Sequence, residues 1–290
     1  MSTTGIAHAN GIDICYETFG DAEAPAILLI MGNGVQMTEW EPEFVETFAE
    51  RGFHVVRYDH RDVGLSTRFD DTATYTLWDM ADDAIGLLDA LRIEQAHIVG
   101  TSMGGMVAQC IAIRHPARVV SLCSIMSTTG ADRVGTSRRD AREAMTGPRP
   151  TSREGVIETA VSRAQLLRGG GFAFDEEMIR RRAAAAYDRA DNPEGRVRHT
   201  AAILATGDRT DALRHVVAPT VVIHGTADPL VHSSGAEATA AAIPGAKLVL
   251  IPGMGHEIPA GARPLIVDAV ADNANRASRR IGPSAPSVQI

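Results

Sequence analysis

Cysteine is scarce: the chain has three, Cys15, Cys110 and Cys123, among 290 residues. Their odd number, wide spacing and apolar neighbours exclude a disulfide framework and suit small buried hydrophobes. Positive charge is in deficit, with a formal net charge of −8. The arginines are scattered among acids, apart from short runs such as Arg180-Arg181-Arg182, so there is no electrostatic footprint for a phosphate backbone and nucleic acid is not an expected partner. No apolar stretch approaches the ~18–20 residues of a membrane span. The start, Met1-Ser2-Thr3-Thr4-Gly5, has neither a basic segment nor an apolar one after it, so a cytoplasmic protein is expected. Metal and cofactor signatures are missing too. There is no His-x-x-x-His or Cys-x-x-Cys, and the glycine-rich run at 100–105 lacks both the dinucleotide spacing and the lysine of a phosphate loop. Neither a metal nor a cofactor is expected, and oligomeric state leaves no signal.

What the chain does have is alternation of short apolar runs with helical patterns. Residues 12–19 alternate in character and read as an edge strand, whereas 26–31 is continuously apolar and reads as a buried one. Further strands are expected at 53–58, 96–99, 119–126, 220–224 and 247–251. A helix begins after Thr76, with Asp79, Asp82 and Asp83 near its positive end and Met80, Ala84, Leu87, Leu88 and Leu91 as its apolar stripe. Another runs from about 103 to 115 and stops at Pro116, and a third covers 234–242. This rhythm predicts an α/β fold with a mostly parallel sheet covered on both faces. It breaks from 127 to 213, where only helix-favouring segments such as 153–167 and 176–190 occur, joined by Pro148, Pro150, Gly169-Gly170-Gly171 and Pro193. We expect a core of residues 1–126 and 214–277, a helical cap of 127–213 inserted over the carboxyl ends of the strands, and a disordered tail of 278–290. The triple glycine reads as an ordinary loop.

The most informative motif is Gly100-Thr101-Ser102-Met103-Gly104-Gly105, between the apolar run 96–99 and a helix. In G-x-S-x-G the strand reverses sharply into a helix, so the serine is held strained with its hydroxyl exposed, and side chains at the flanking glycines would collide with the turn. Gly135-Thr136-Ser137 repeats part of the motif without the second glycine or a preceding strand and reads as a polar loop. A serine hydroxyl needs a base, and the base needs a group to orient it. Asp228 follows the strand at 220–224, and His256 follows the strand at 247–251 within Gly253-Met254-Gly255-His256. Both loops should leave the same sheet edge as Ser102, in the chain order Ser, Asp, His.

Among the ten histidines, His97, His115 and His224 are given no catalytic role, and His232 lies too close to Asp228 to bridge acid and serine. Asp59 and Asp62 are expected to make structural hydrogen bonds under the turn, and Asp132 lies too far into the inserted region. The donors for an oxyanion are expected from the backbone N–H of Met103, at a helix N-terminus, and of Asn33 in Gly32-Asn33-Gly34. Trp40, Leu166 and Leu167, with Phe172 and Phe174, are candidate pocket residues.

These segments resemble the α/β-hydrolase superfamily over nearly the whole chain, and are most similar within it to bacterial carboxylesterases and aclacinomycin methylesterase-type enzymes. The likeness is carried by Leu29-Ile30-Met31-Gly32-Asn33, by 57–66 (Arg-Tyr-Asp-His-Arg-Asp-Val-Gly-Leu-Ser), by 97–105 and by 251–256. The resemblance implies Ser102, Asp228 and His256 as a catalytic triad and Met103 and Asn33 as oxyanion donors. Met31 stands where much of the superfamily has the histidine of a His-Gly pair, as in the methylesterase-like branch. The expected activity is two-step hydrolysis of small or medium apolar esters through an acyl-enzyme. Dehalogenases and epoxide hydrolases would carry aspartate at position 102. A perhydrolase or haloperoxidase, a lactonase and a carbon–carbon bond hydrolase share the triad, and a hydrolase-like ligand receptor is the alternative from another class.

Overall fold

The strands at the middle of the sheet are buried at every position because both of their faces are covered. The structure is a computed structural model and describes residues 2–70, 72–147 and 150–281. Its eight strands are β1 (Thr3–Ala9), β2 (Ile12–Phe19), β3 (Ala26–Ile30), β4 (His54–Tyr58), β5 (Ala96–Thr101), β6 (Val119–Ile125), β7 (Thr220–Gly225) and β8 (Lys247–Ile251). They form one sheet in the order β1-β2-β4-β3-β5-β6-β7-β8, parallel from β4 to β8 and antiparallel at β1 and β2. Chain order reverses around β3 and β5, the place in a doubly wound sheet where loops diverge and leave a crevice.

The expected edge strand 12–19 is β2, which lies one place inside the edge. β1 covers it through a hairpin at Asn10-Gly11, both at positive φ (50° and 78°). That asparagine–glycine pair is the turn signal the apolar patterning alone overlooked.

The helices are α1 (Pro42–Glu50), α2 (Leu77–Ala90), α3 (Met103–Arg114), α4 (Arg139–Thr146), α5 (Arg153–Leu167), α6 (Glu176–Arg189), α7 (Pro193–Thr206), α8 (Thr210–Leu213), α9 (Ser234–Ala242) and α10 (Arg263–Ile281). Alternate residues of β3 serve opposite faces: Leu28 and Ile30 join Met80, Leu87 and Val107 of α2 and α3, while Ile27 and Leu29 join Phe48 of α1 and Ile266 of α10. α2 starts as expected at Thr76, whose N–H donates to Asp79 Oδ2 at 2.7 Å. Asp83 does not sit at the exposed start of that helix. It is 2% exposed and takes two hydrogen bonds from Arg61, at 2.6 and 2.7 Å.

Between β6 and β7 the described residues contain helices and no strand. α10 continues through Ile281, past residue 278 where a disordered tail was expected to begin, and 282–290 lie outside the described residues. The three cysteines are free and buried. No described helix is long and apolar enough to cross a membrane.

Candidate active site

β5 ends in a turn whose geometry requires glycine at positions 100 and 104. Ser102 sits at φ 56°, ψ −121° between the strand and α3, an unfavourable conformation for a residue with a side chain. A Cβ on Gly100 would lie 2.0 Å from the Gly104 carbonyl oxygen, and one on Gly104 would lie 2.2 Å from that of Ile30. The glycines therefore let the turn close and press it against β3.

The loops after β7 and β8 converge on this serine. His256 Nε2 is 3.0 Å from Ser102 Oγ, and His256 Nδ1 is 2.7 Å from Asp228 Oδ2. The other Asp228 oxygen accepts the N–H groups of Leu230 and Val231 at 2.8 and 2.9 Å. Burial alone would raise the Asp228 pKa. The His256 ring, a hydrogen bond from His224 and these further hydrogen bonds outweigh burial and hold the carboxyl well below the usual carboxylate range.

His224, given no role from sequence, is fully buried with Nε2 2.7 Å from the Val231 carbonyl oxygen and 3.2 Å from Asp228 Oδ2. The signal was present as a histidine four residues before the aspartate, at the end of an apolar strand. His232 instead meets Ser234 Oγ at 3.1 Å and stays exposed, and Asp132 is exposed as well.

The histidine loop is held by backbone. His256 N–H donates to the Leu167 carbonyl at 2.7 Å, and Gly171 N–H donates to that of Gly253 at 2.9 Å. A Cβ on Gly255 would lie 1.9 Å from the Leu167 oxygen, and one on Gly171 would lie 2.6 Å from Gly253 Cα. The triple glycine is thus more than a loop between helices, because its lack of side chains lets it lie against the segment carrying His256.

After β3 the chain passes close to the serine, where a Cβ on Gly32 would be 3.3 Å from Ser102 Cβ. Among the described residues the N–H groups of Asn33 and Met103 make no hydrogen bond. The Asn33 side chain donates to Thr200 Oγ1 at 2.8 Å. Asp59 and Asp62 make structural hydrogen bonds as expected, Asp59 with the N–H groups of Met37 and Leu65 and Asp62 with the Phe69 N–H and the Tyr75 hydroxyl, but these partners lie outside the turn at 100–105. The two acids also anchor the inserted helices: Arg189 of α6 lies 2.7 Å from Asp59, and Arg198 of α7 grips Asp62 at 2.7 and 2.9 Å.

Ser102 and His256 open into a cavity of about 850 Å³. Six methionines line it, Met31, Met103, Met106, Met126, Met145 and Met178, with Trp40, Leu167 and Phe174. Trp40 is both core and lining, 1% exposed and stacked on Phe44 with centroids 5.8 Å apart. Leu166 does not line this cavity: it faces a separate depression with Arg138 and Gln165, because its neighbour Leu167 takes the inward position on α5. Phe172 likewise packs on the core. At one end of the cavity Arg182 pairs with Glu39 and Glu41, the latter at 2.9 Å, and Arg263 also pairs with Glu41. Glu257, next to His256, lines the same cavity, and burial pushes its carboxyl above the usual value. Among the described residues no group of three or more His, Cys, Asp or Glu is arranged to hold a metal.

The family model described as alpha/beta hydrolase fold matches residues 25–260. Rhodomycin D methylesterase DauP of Streptomyces sp. (strain C5) is 32% identical over 264 residues, covering 84% of this chain and 88% of that protein. 3-Oxoadipate enol-lactonase 1 of Acinetobacter baylyi is 27% identical, covering 78% of this chain and 79% of its own. The solved meta-cleavage product hydrolase CumD of Pseudomonas fluorescens IP01 superposes with a TM-score of 0.79 over 94% of this chain and 98% of its own, at 22% identity, a likeness of fold alone. With the model spanning most of its length and a relative above 30% identity, the chain belongs to the alpha/beta hydrolase fold family.

Proposed function

We propose that this protein hydrolyses carboxylic esters, with Ser102 as nucleophile, His256 as base and then acid, and Asp228 as the group that orients His256. The observation that carries this is the hydrogen-bonded line from Asp228 Oδ2 through both His256 nitrogens to Ser102 Oγ, beside two unpartnered backbone N–H groups. With Asp228 ionised and accepting at Nδ1, the His256 Nε2 lone pair faces the serine hydroxyl. His256 takes that proton as Oγ attacks the acyl carbon. The oxyanion forms against the N–H groups of Asn33 and Met103, the latter at the N-terminus of α3, where the dipole favours negative charge. As the tetrahedral centre collapses, His256 protonates the leaving alkoxide. A water then loses its proton to His256, attacks the acyl-enzyme and releases the acid, restoring Ser102.

The cavity bears on substrate size. At about 850 Å³ it lies high in the usual range for small-molecule sites, ~300–1,000 Å³, so it favours a bulky apolar acyl group over the small or medium ester expected from sequence. The name of the methylesterase relative points the same way for the leaving group, a small alcohol. Residues 127–213 act in this reading as a cap, since α4 to α7 contribute Met145, Ala164, Met178 and Thr200 to the lining. A lactone is the second substrate class, favoured by the enol-lactonase relative, and the same steps would then retain the alcohol on the product.

Wild type should release p-nitrophenol from acetate and butyrate esters, and Ser102→Ala should fall to background, a loss of at least about 10³-fold. A fluorophosphonate should label the wild type at Ser102 and leave the variant unlabelled. Equal turnover by the two proteins would sink Ser102 as nucleophile. Binding of the esters by wild type without turnover or labelling would favour a receptor.

A further inference from the structure

The loop that carries Asn33 has little in the core to hold it. Gly32 and Gly34 flank Asn33, Gly34 lies at φ 65°, and within the loop Val35 N–H reaches the Gly32 carbonyl only at 3.3 Å. From the core, His60 Nε2 meets the Met31 carbonyl at 3.0 Å. At its far end Met37 N–H donates to Asp59 Oδ1 at 2.9 Å, and the bonds between these two points come from the inserted helices. Gly34 N–H donates to His199 Nδ1 at 3.1 Å, Asn33 Nδ2 donates to Thr200 Oγ1 at 2.8 Å, and Gln36 Nε2 donates to the Ala186 and Ala190 carbonyls at the end of α6 at 2.7 and 2.6 Å.

We propose that His199, on α7, is a positioning residue for the oxyanion hole: by holding the Gly34 N–H it fixes the loop one peptide beyond the Gly32–Asn33 unit, whose N–H is then directed at the oxyanion beside Ser102. The proposal rests on the ester-hydrolase reading above. His199 is fully buried and joins α7 to two loops at once, that of Gly34 and that of His60 and Arg61. Its Nδ1 accepts from Gly34, its Nε2 lies 2.9 Å from the Arg61 carbonyl, and its ring meets His60 edge-on at 5.7 Å. The two bonds assign the tautomer. Nδ1 must be bare to accept an N–H, so the proton sits on Nε2 and is donated to Arg61. Burial supports this by pushing the His199 pKa down to about 4, which keeps the ring neutral and Nδ1 free to accept. The far anchor is rigid, because Arg61 is tied to Asp83 by two hydrogen bonds. α7 itself presses on the same loop, where a Cβ on Gly195 would lie 2.1 Å from the Asp62 carbonyl oxygen.

Two amide variants separate the bonds. Asparagine carries a carbonyl oxygen near the place of Nδ1 and keeps the Gly34 acceptor, while glutamine carries an NH2 near the place of Nε2 and keeps only the Arg61 bond. For p-nitrophenyl butyrate, His199→Gln should lower kcat by about ten- to a hundredfold with KM changed less than about threefold, since misplacing a donor by about an ångström acts on the transition state. His199→Asn should keep kcat within about threefold of wild type. Hydrogen exchange over residues 31–36 reads the same bond without turnover: protection should be lost in the Gln variant and kept in the Asn variant. Equal kcat and equal protection in the two variants would overturn the proposal, as would losses that follow only the folded fraction measured by circular dichroism. If Ser102→Ala matched wild type, the ester reading would fall, and exchange at Gly34 would still decide the positioning.

Discussion

At the scale of single residues, Asp228, the acid of the proposed triad, is held by more than its histidine partner. His224 offers one N–H to both Val231 and Asp228 in full burial. His224→Phe should cost about 1–3 kcal/mol in urea unfolding, because the Val231 carbonyl is left buried without that donor. Losing about 1.4 kcal/mol of support for the ionised acid would lower kcat/KM by about tenfold. An unchanged kcat/KM beside a stability loss would make His224 purely structural. The sequence singled out Ser102, Asp228 and His256, which the fold brings within hydrogen-bond reach of one another, because each lies in the turn or loop that follows a strand and is marked by glycines or turn residues. It hid His224 inside an apolar strand and His199 inside a helix, where a histidine looks like any other filler. Leu166 and Leu167 show the same limit: adjacent leucines on one helix look alike, and only the packing of α5 decides which faces the cavity.

At the scale of elements, the loop bearing His256 and the loop after α5 share one backbone surface. Gly255→Ala should lower kcat by at least about tenfold, because the new methyl meets the Leu167 carbonyl at 1.9 Å and moves His256 away from Ser102. A thermal melt taken beside it separates this from unfolding, and a folded variant with full activity would contradict the argument. The parallel strands and α2, α3 and α9 were legible because apolar runs alternate with helical stripes over that stretch. β1 was missed because Thr-Thr-Gly-Ile-Ala-His-Ala has little patterning of its own and is ordered by pairing with β2. The role of Gly169–Gly171 could not be read either, since its partner lies more than eighty residues further along.

At the scale of the whole molecule, acid stability should be governed by histidines first. Burial pushes His60 down to about 3 and His97 and His199 down to about 4. Below their ordinary value near 6.5 the unfolded chain takes up protons that the native protein refuses, so stability falls with pH, by about 1.4 kcal/mol per unit for each histidine. Asp62 adds to this lower down. Burial would raise its pKa, but hydrogen bonds from Arg198, Phe69 and Tyr75 bring it below the usual value, so its contribution is present above about pH 4 and is lost as pH falls through the folded value. Urea midpoints should therefore drop steeply between pH 6.5 and 4. A flat profile there would show that these rings are protonated in the native state.

The anchoring of α6 and α7 through Arg189 and Arg198 on Asp59 and Asp62 also bears on how such a protein can change over evolution. The acids belong to a loop of the sheet and their guanidinium partners to the insertion, so neither half carries a complete set. A foreign helical insertion grafted at 127–213 would leave two buried carboxylates without counterions, and the Gly34 N–H without its acceptor. New specificities should then arise by point changes at cavity-lining positions such as Met145, Met178 or Ala164, within the resident helices, more readily than by exchange of the whole segment.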